Sequence, residues 1–138
     1  MDGASQIGTA VAVLVTTEWG IPLVRDTKKP VPVFWKLPGG KGEYEDNGIP
    51  ERSALRELTE ETGIKVSMSD LKLVAREDRH NHSFFVFHAD VSAEVLLDIK
   101  PQGDEGEEIE VFSREDVVSM KDFFPPHRRF VEKILQGI

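Results

Sequence analysis

The chain has 138 residues, of which 39% are hydrophobic and 30% charged, with a formal net charge of −8 and no cysteine. That size and balance fit one globular domain over residues 1–138, and the missing cysteine excludes disulfides, thiolate catalysis and cysteine zinc sites. Acidity argues against a grip on nucleic-acid backbone, which needs clustered Lys and Arg; no apolar run approaches a membrane span and no signal-peptide pattern is present, so a cytoplasmic location is the default.

Ile7 to Thr17 is β-branched and apolar almost throughout, as expected of a central strand covered on both faces. Glu18-Trp19-Gly20 is a turn signal, and Ile21 to Asp26 reads as a returning hairpin partner with Arg25 near the sheet end. Lys28-Lys29-Pro30-Val31-Pro32 withholds ladder donors at two prolines and reads as an exposed loop. Its lysines are solvated or touch substrate phosphate. Val33 to Leu37 is a short strand delivering Pro38-Gly39-Gly40, with Trp35 in the core or serving as a stacking platform. A Gly-Gly turn lets backbone approach a ligand and N–H groups converge on anionic oxygen.

Pro50 suits the first position of a helix and Gly63 the left-handed residue just past its end, which bounds a helix from Pro50 to Thr62. At about 100° per residue, Ala54, Leu55, Leu58 and Thr62 form the buried face. Glu57, Glu60 and Glu61 share another arc, about 5–6 Å apart at i, i+3 and i+4, where like charges destabilise a helix. Arg56 and Lys41 offset part of that charge. Three converging carboxylates also make an all-oxygen site for a hard cation such as Mg²⁺ or Mn²⁺. A solvated helix face is the plain alternative.

Leu71 to Asp78 and Ser83 to Val91 read as strands joined by a polar tip, Arg79-His80-Asn81-His82. Ser92 to Lys100 carries no clear pattern. Gln102 to Glu108 is an acidic loop, and Ile109 to Phe112 is a strand. Ser113 caps a helix through Ser-Arg-Glu-Asp. Pro125-Pro126 restarts the chain into a last helix, His127 to Leu135, whose apolar face is Phe130, Val131, Ile134 and Leu135.

Gly40, an acid six residues on at Asp46, and then Arg56-Glu57-Leu58-Thr59-Glu60-Glu61-Thr62-Gly63-Ile64 resemble the Nudix box of the pyrophosphohydrolases. The second half matches at every specified position. The first half departs twice: Asp46 replaces the usual Glu, and nine residues instead of seven separate it from Arg56, read as a two-residue insertion around Asn47 to Ile49. The resemblance implies an α/β/α sandwich with a mixed β-sheet between helices. It implies metal-dependent hydrolysis of the pyrophosphate bond of a nucleoside diphosphate linked to a group X, with Mg²⁺ or Mn²⁺ held by Glu57, Glu60 and Glu61. Gly39 and Gly40 would shape the turn, and Arg56 would brace the loop by pairing with Glu43, Glu45 or Asp46. Glu105 or Glu108, from the loop before a strand, would act as base or further metal ligand.

The expected partner is a nucleotide, with no membrane; a homodimer is left open. The chain starts almost at its first strand, without the N-terminal segment that ADP-ribose members often use to dimerise. That favours nucleoside triphosphates slightly, then ADP-ribose. A non-hydrolytic nucleotide sensor and an acidic protein-interaction module are the alternatives.

Overall fold

β1 (Gly8–Thr16) is the strand on which the fold is centred. A computed structural model describes residues 8–137, so Ile7, at the start of the expected strand, lies outside the described residues. Residues 11–16 of β1 are buried, and successive side chains supply opposite cores, as the strand period of two requires. Ala12 and Leu14 join a cluster with Phe84, Val86, Val117, Phe130, Val131, Ile134 and Leu135. Val11, Val13 and Val15 join the other with Ala54, Leu58, Ile64, Phe87 and Ala89. A nearly uninterrupted apolar run is therefore what this position demands.

The main sheet has the order β3-β1-β5-β4, with β3 (Gly39–Lys41), β4 (Lys72–Asp78) and β5 (His82–Asp90). β1 runs parallel to β5 and antiparallel to β3; β4 closes the far edge antiparallel to β5, with a register shift between Leu73 and Ala75. A second, two-stranded sheet joins β2 (Ile21–Arg25) to β6 (Glu108–Phe112). Helix α1 (Pro50–Thr62) covers one face. Helices α2 (Arg114–Ser119) and α3 (Pro125–Gln136) lie on the other. This is a mixed sheet between helical layers, an α/β/α sandwich.

Two expectations change. Residues Ile21–Arg25 follow the predicted turn but pair with β6 instead of returning along β1; only Thr17 and Gly20 bridge across the turn. The strand expected over Val33 to Leu37 is reduced to single bridges, Lys36 with Val24 and Trp35 with Phe123. The ladder with β1 forms on the glycines instead. A Cβ on Gly39 would collide with the Val11 carbonyl, so only glycine lets the two backbones come this close. Trp35 is buried in the core.

Candidate active site

Helix α1 has the predicted bounds. Pro50 stands at its start, and Gly63 ends it at φ 87° with its N–H on the Thr59 carbonyl. Leu58, Ala54 and Thr62 are buried, while Leu55 is half-buried. The last turn leaves carbonyls without helical donors, and the acidic loop supplies them. Asp104 N–H and Lys100 Nζ both donate to the Glu60 carbonyl at 2.9 Å, and Lys100 N–H donates to that of Thr62 at 2.9 Å. Docking on the helix end carries the loop over the glutamates of α1.

Asp46 fixes the other side of the site. The insertion is absorbed by Asn47 at φ 54° and Gly48 at φ 70°, which follow a short 3₁₀ turn over Tyr44–Asp46. The buried Asp46 carboxylate accepts from Arg56 Nη2 at 3.0 Å, from Ser53 Oγ at 2.9 Å and from Glu43 N–H at 2.8 Å. Burial alone would raise its pKa; Arg56, the Glu43 amide and Ser53 outweigh that and hold it below the usual aspartate value. The hydrogen bond to Asp46 in turn raises the Arg56 pKa. Asp46 is thus the partner of Arg56 at 3.0 Å, with Glu43 farther off at 3.7 Å; Glu45 is not one of its ion-pair partners.

Gly39, Gly40, Glu57, Glu60 and Glu61 come together in one cavity of about 400 Å³, joined by Glu43, Asp104, Glu105 and Glu107. The lining holds seven carboxylates and no basic residue. Gly39 N–H donates to Glu61 Oε1 at 2.7 Å. A Cβ on Gly40 would strike the Glu57 carboxylate, so this glycine provides room for Glu57 rather than a turn. Arg56 Nη1 reaches Glu60 at 3.1 Å and Glu57 at 3.5 Å.

Burial drives the Glu61 carboxyl up to about 8, against the opposing pull of the Gly39 amide and of Lys36. Burial likewise drives Glu57 up to about 7, against Arg56 and with help from Glu60 and Glu43. Among the described residues no three acidic or histidine side chains stand in a ready-made metal constellation, since Glu57 and Glu60 turn toward Arg56 and Glu61 toward Gly39. The donor set nevertheless fits a hard divalent cation: it is all oxygen, and Glu61 is buried without an ion pair among the described residues.

The sequence named Glu105 and Glu108 in the acidic loop, and the structure separates them. Glu105 lines the cavity. Glu108 begins β6 and pairs with Arg25 at 3.0 Å, outside it. Glu107 lines the cavity in its place and is buried, 6% exposed. Glu107 lies just before β6, and its neighbour Glu108 is the strand's first residue; nothing in the acidic run itself marks which of the two faces the cavity. The backbone of Glu105 is held at both ends, its N–H by Glu107 Oε1 and its carbonyl by Lys28 Nζ. His80 and His82 stay at the β4–β5 tip, away from the cavity lining.

Fold and site together define an α/β/α domain that gathers carboxylates between a glycine strand and the end of a helix. The chain belongs to the Nudix family: the NUDIX domain model matches residues 6–134. A 57-residue stretch, 38% of this chain and 49% of the relative, is 51% identical to an 8-oxo-dGTP diphosphatase of Proteus vulgaris. A longer match, 30% identical over 107 residues, covers 77% of this chain and 58% of diphosphoinositol polyphosphate phosphohydrolase 2 of Mus musculus. The chain therefore spans about half the length of these curated relatives. Among solved structures, the NUDIX domain of Shewanella oneidensis NrtR complexed with ADP ribose superposes with a TM-score of 0.75, at 19% identity, covering 99% of this chain and 93% of that one. A MutT structure from a study of the Aliivibrio salmonicida and Vibrio cholerae proteins gives 0.72 at 22% identity, covering 95% and 98%. No helix among the described residues is long and apolar enough to cross a membrane.

Proposed function

We propose that this chain, acting as one domain, is a metal-dependent pyrophosphohydrolase that cleaves the phosphoanhydride of a nucleoside diphosphate linked to a group X, with nucleoside triphosphates as the leading class. The observation that carries this reading is the cavity itself: seven carboxylates line it, and burial raises two of them to about 7 and about 8. A site built that way invites cations rather than an anionic substrate alone. The name of the Proteus vulgaris relative, which covers a nucleoside triphosphate, supports the substrate class.

Glu57, Glu60 and Glu61 would hold Mg²⁺ or Mn²⁺, with the buried Glu107 beside them. When bound there, such an ion would supply positive charge to offset the diphosphate oxygens and lower the pKa of a water. Gly39 N–H orients the Glu61 carboxylate, and Gly40 leaves space for that of Glu57. Arg56, clamped by Asp46, keeps the glycine strand and α1 in register through its further bond to the Lys41 carbonyl at 2.9 Å. A Glu105 carboxylate oxygen takes the proton of the attacking water, since its exposed side chain lines the cavity on a backbone pinned at both sides.

The test is phosphate or pyrophosphate release from a nucleotide panel with Mg²⁺, Mn²⁺ or EDTA, for the wild type and Glu61→Gln. Metal-dependent release abolished by the substitution is expected. Nucleotide binding by folded protein without any release would replace the hydrolase with a sensing domain.

A further inference from the structure

The carboxylate cavity offers a cation and a diphosphate their partners but has no aromatic or basic side chain to recognise the organic part of a substrate. A second cavity, also about 400 Å³, has those groups: Asp26, Lys29, Val33, Phe34, Lys36 and Phe124 line it, with Pro32. The extended backbone around the Trp35 and Lys36 bridges makes it. Trp35 and Leu37 are buried in the core, so the alternating residues Phe34 and Lys36 face the other way, and both are half-buried. Phe124 is brought alongside because its N–H donates to the Trp35 carbonyl at 2.8 Å. The Phe34 and Phe124 rings lie 6.4 Å apart at a 51° tilt.

Lys36 lines this second cavity, not the first, and takes part in no ion pair among the described residues. Only Leu37 and Pro38 separate it from Gly39, about 10 Å of extended chain. A substrate with its diphosphate at Gly39 and Glu61 would therefore extend its nucleoside toward Lys36.

We propose that this second cavity is the base subsite and that Lys36 selects a keto purine, a guanine-type base, over adenine. The inference rests on the hydrolase reading above. An aromatic wall stacks any base; the charged groups choose among them. An ammonium donates to the O6 and N7 acceptors of guanine but opposes the N6 amino donor that adenine places at the same edge. Asp26, whose Oδ1 accepts from Lys28 N–H at 3.0 Å and is thereby held in place, receives the guanine amino group.

The experiment compares GTP with ATP as substrates for wild type, Lys36→Met, Lys36→Arg and Phe124→Ala, with thermal unfolding of each as the folding control. The wild type should favour GTP in kcat/KM by about ten-fold or more. Lys36→Met should erase that ratio and Lys36→Arg restore it. Phe124→Ala should raise KM for both nucleotides about ten-fold while kcat changes less. A wild type that hydrolyses both nucleotides without preferring GTP overturns the subsite, as does a folded Lys36→Met that keeps the preference. Failure of the wild type to hydrolyse any nucleotide in the earlier panel overturns the hydrolase reading itself.

Discussion

The Gly39 amide reaches across from the sheet to Glu61 Oε1 at 2.7 Å, tying the glycine strand to the most buried glutamate of α1. One residue thus serves the fold and the proposed chemistry in opposite senses. A carboxyl raised to about 8 binds a proton in the folded chain that it releases far lower when unfolded. It therefore costs stability above its unfolded pKa near 4.5, a cost that disappears as pH falls. Glu61→Gln keeps an acceptor for Gly39 without the charge. We predict that it cuts turnover by two orders of magnitude or more yet stabilises the cation-free protein at pH 8, on the order of 2 kcal/mol. Urea denaturation in EDTA beside turnover in Mg²⁺ checks both; a destabilised variant contradicts the first half of the argument.

Gly40→Ala probes space instead of charge. Its Cβ would strike the Glu57 carboxylate, and a side-chain end moves more readily than backbone. The variant should fold within about 1–3 kcal/mol of wild type while its Mn²⁺ affinity, read by titration, falls at least ten-fold. Gly39→Ala meets the Val11 carbonyl instead and should lose more stability than Gly40→Ala.

Asp46→Asn tests the clamp. Arg56 would keep a neutral partner in place of a carboxylate it holds together with Ser53 Oγ and the Glu43 amide. Removing the charge from a largely buried pair costs about 3 kcal/mol, and Asp46→Glu should recover only part of it, because the longer side chain must still satisfy Ser53 and the Glu43 amide. Thermal unfolding of the two variants ranks them.

Much of this was legible in the residues, and the gaps have a common cause. Pro50 and Gly63 carry their backbone preferences locally, so the limits of α1 follow from sequence; the same holds for Ser113, whose Oγ accepts from Asp116 N–H at the start of α2. The partner of β2 and the displaced third strand did not follow, because pairing with β6 is decided by residues more than 80 positions away. Asp46 could be named as a partner of Arg56, but not chosen over Glu45 without the turn at Asn47 and Gly48 that aims it. Glu107 was hidden for a related reason: an acidic run shows charge, not which member of it faces inward.

Glu107→Gln and Glu108→Gln separate those two neighbours. Glu107 is buried in the cavity lining, whereas Glu108 is exposed and bonded to Arg25. Glu107→Gln should lower metal-dependent turnover ten-fold or more. Glu108→Gln should leave it within about two-fold and change stability by at most about 1 kcal/mol, as for a surface ion pair. Equal loss in both would remove the distinction.

His127 sets an acid limit on the fold. Its ring lies between Phe84, stacked at 5.9 Å, and Phe124, edge-on at 4.9 Å, and its buried Nδ1 has no hydrogen-bond partner among the described residues. Burial, with Lys36 and Arg79 nearby, lowers its pKa to about 4. The unfolded chain takes up this proton near 6.5 and the folded chain only near 4. The stability involved is complete above pH 6.5 and is lost as pH falls toward 4. Glu57 and Glu61, raised in the folded state, act in the opposite direction, so the wild-type slope alone mixes the three. The difference between wild type and His127→Phe isolates the histidine, because the glutamate contributions cancel. Relative to its own value at pH 7.5, the wild type should lose about 2 kcal/mol more than His127→Phe by pH 5. Parallel pH profiles from urea denaturation would mean that His127 gains its proton as readily in the folded chain as in the unfolded one, against the closed aromatic packing around it.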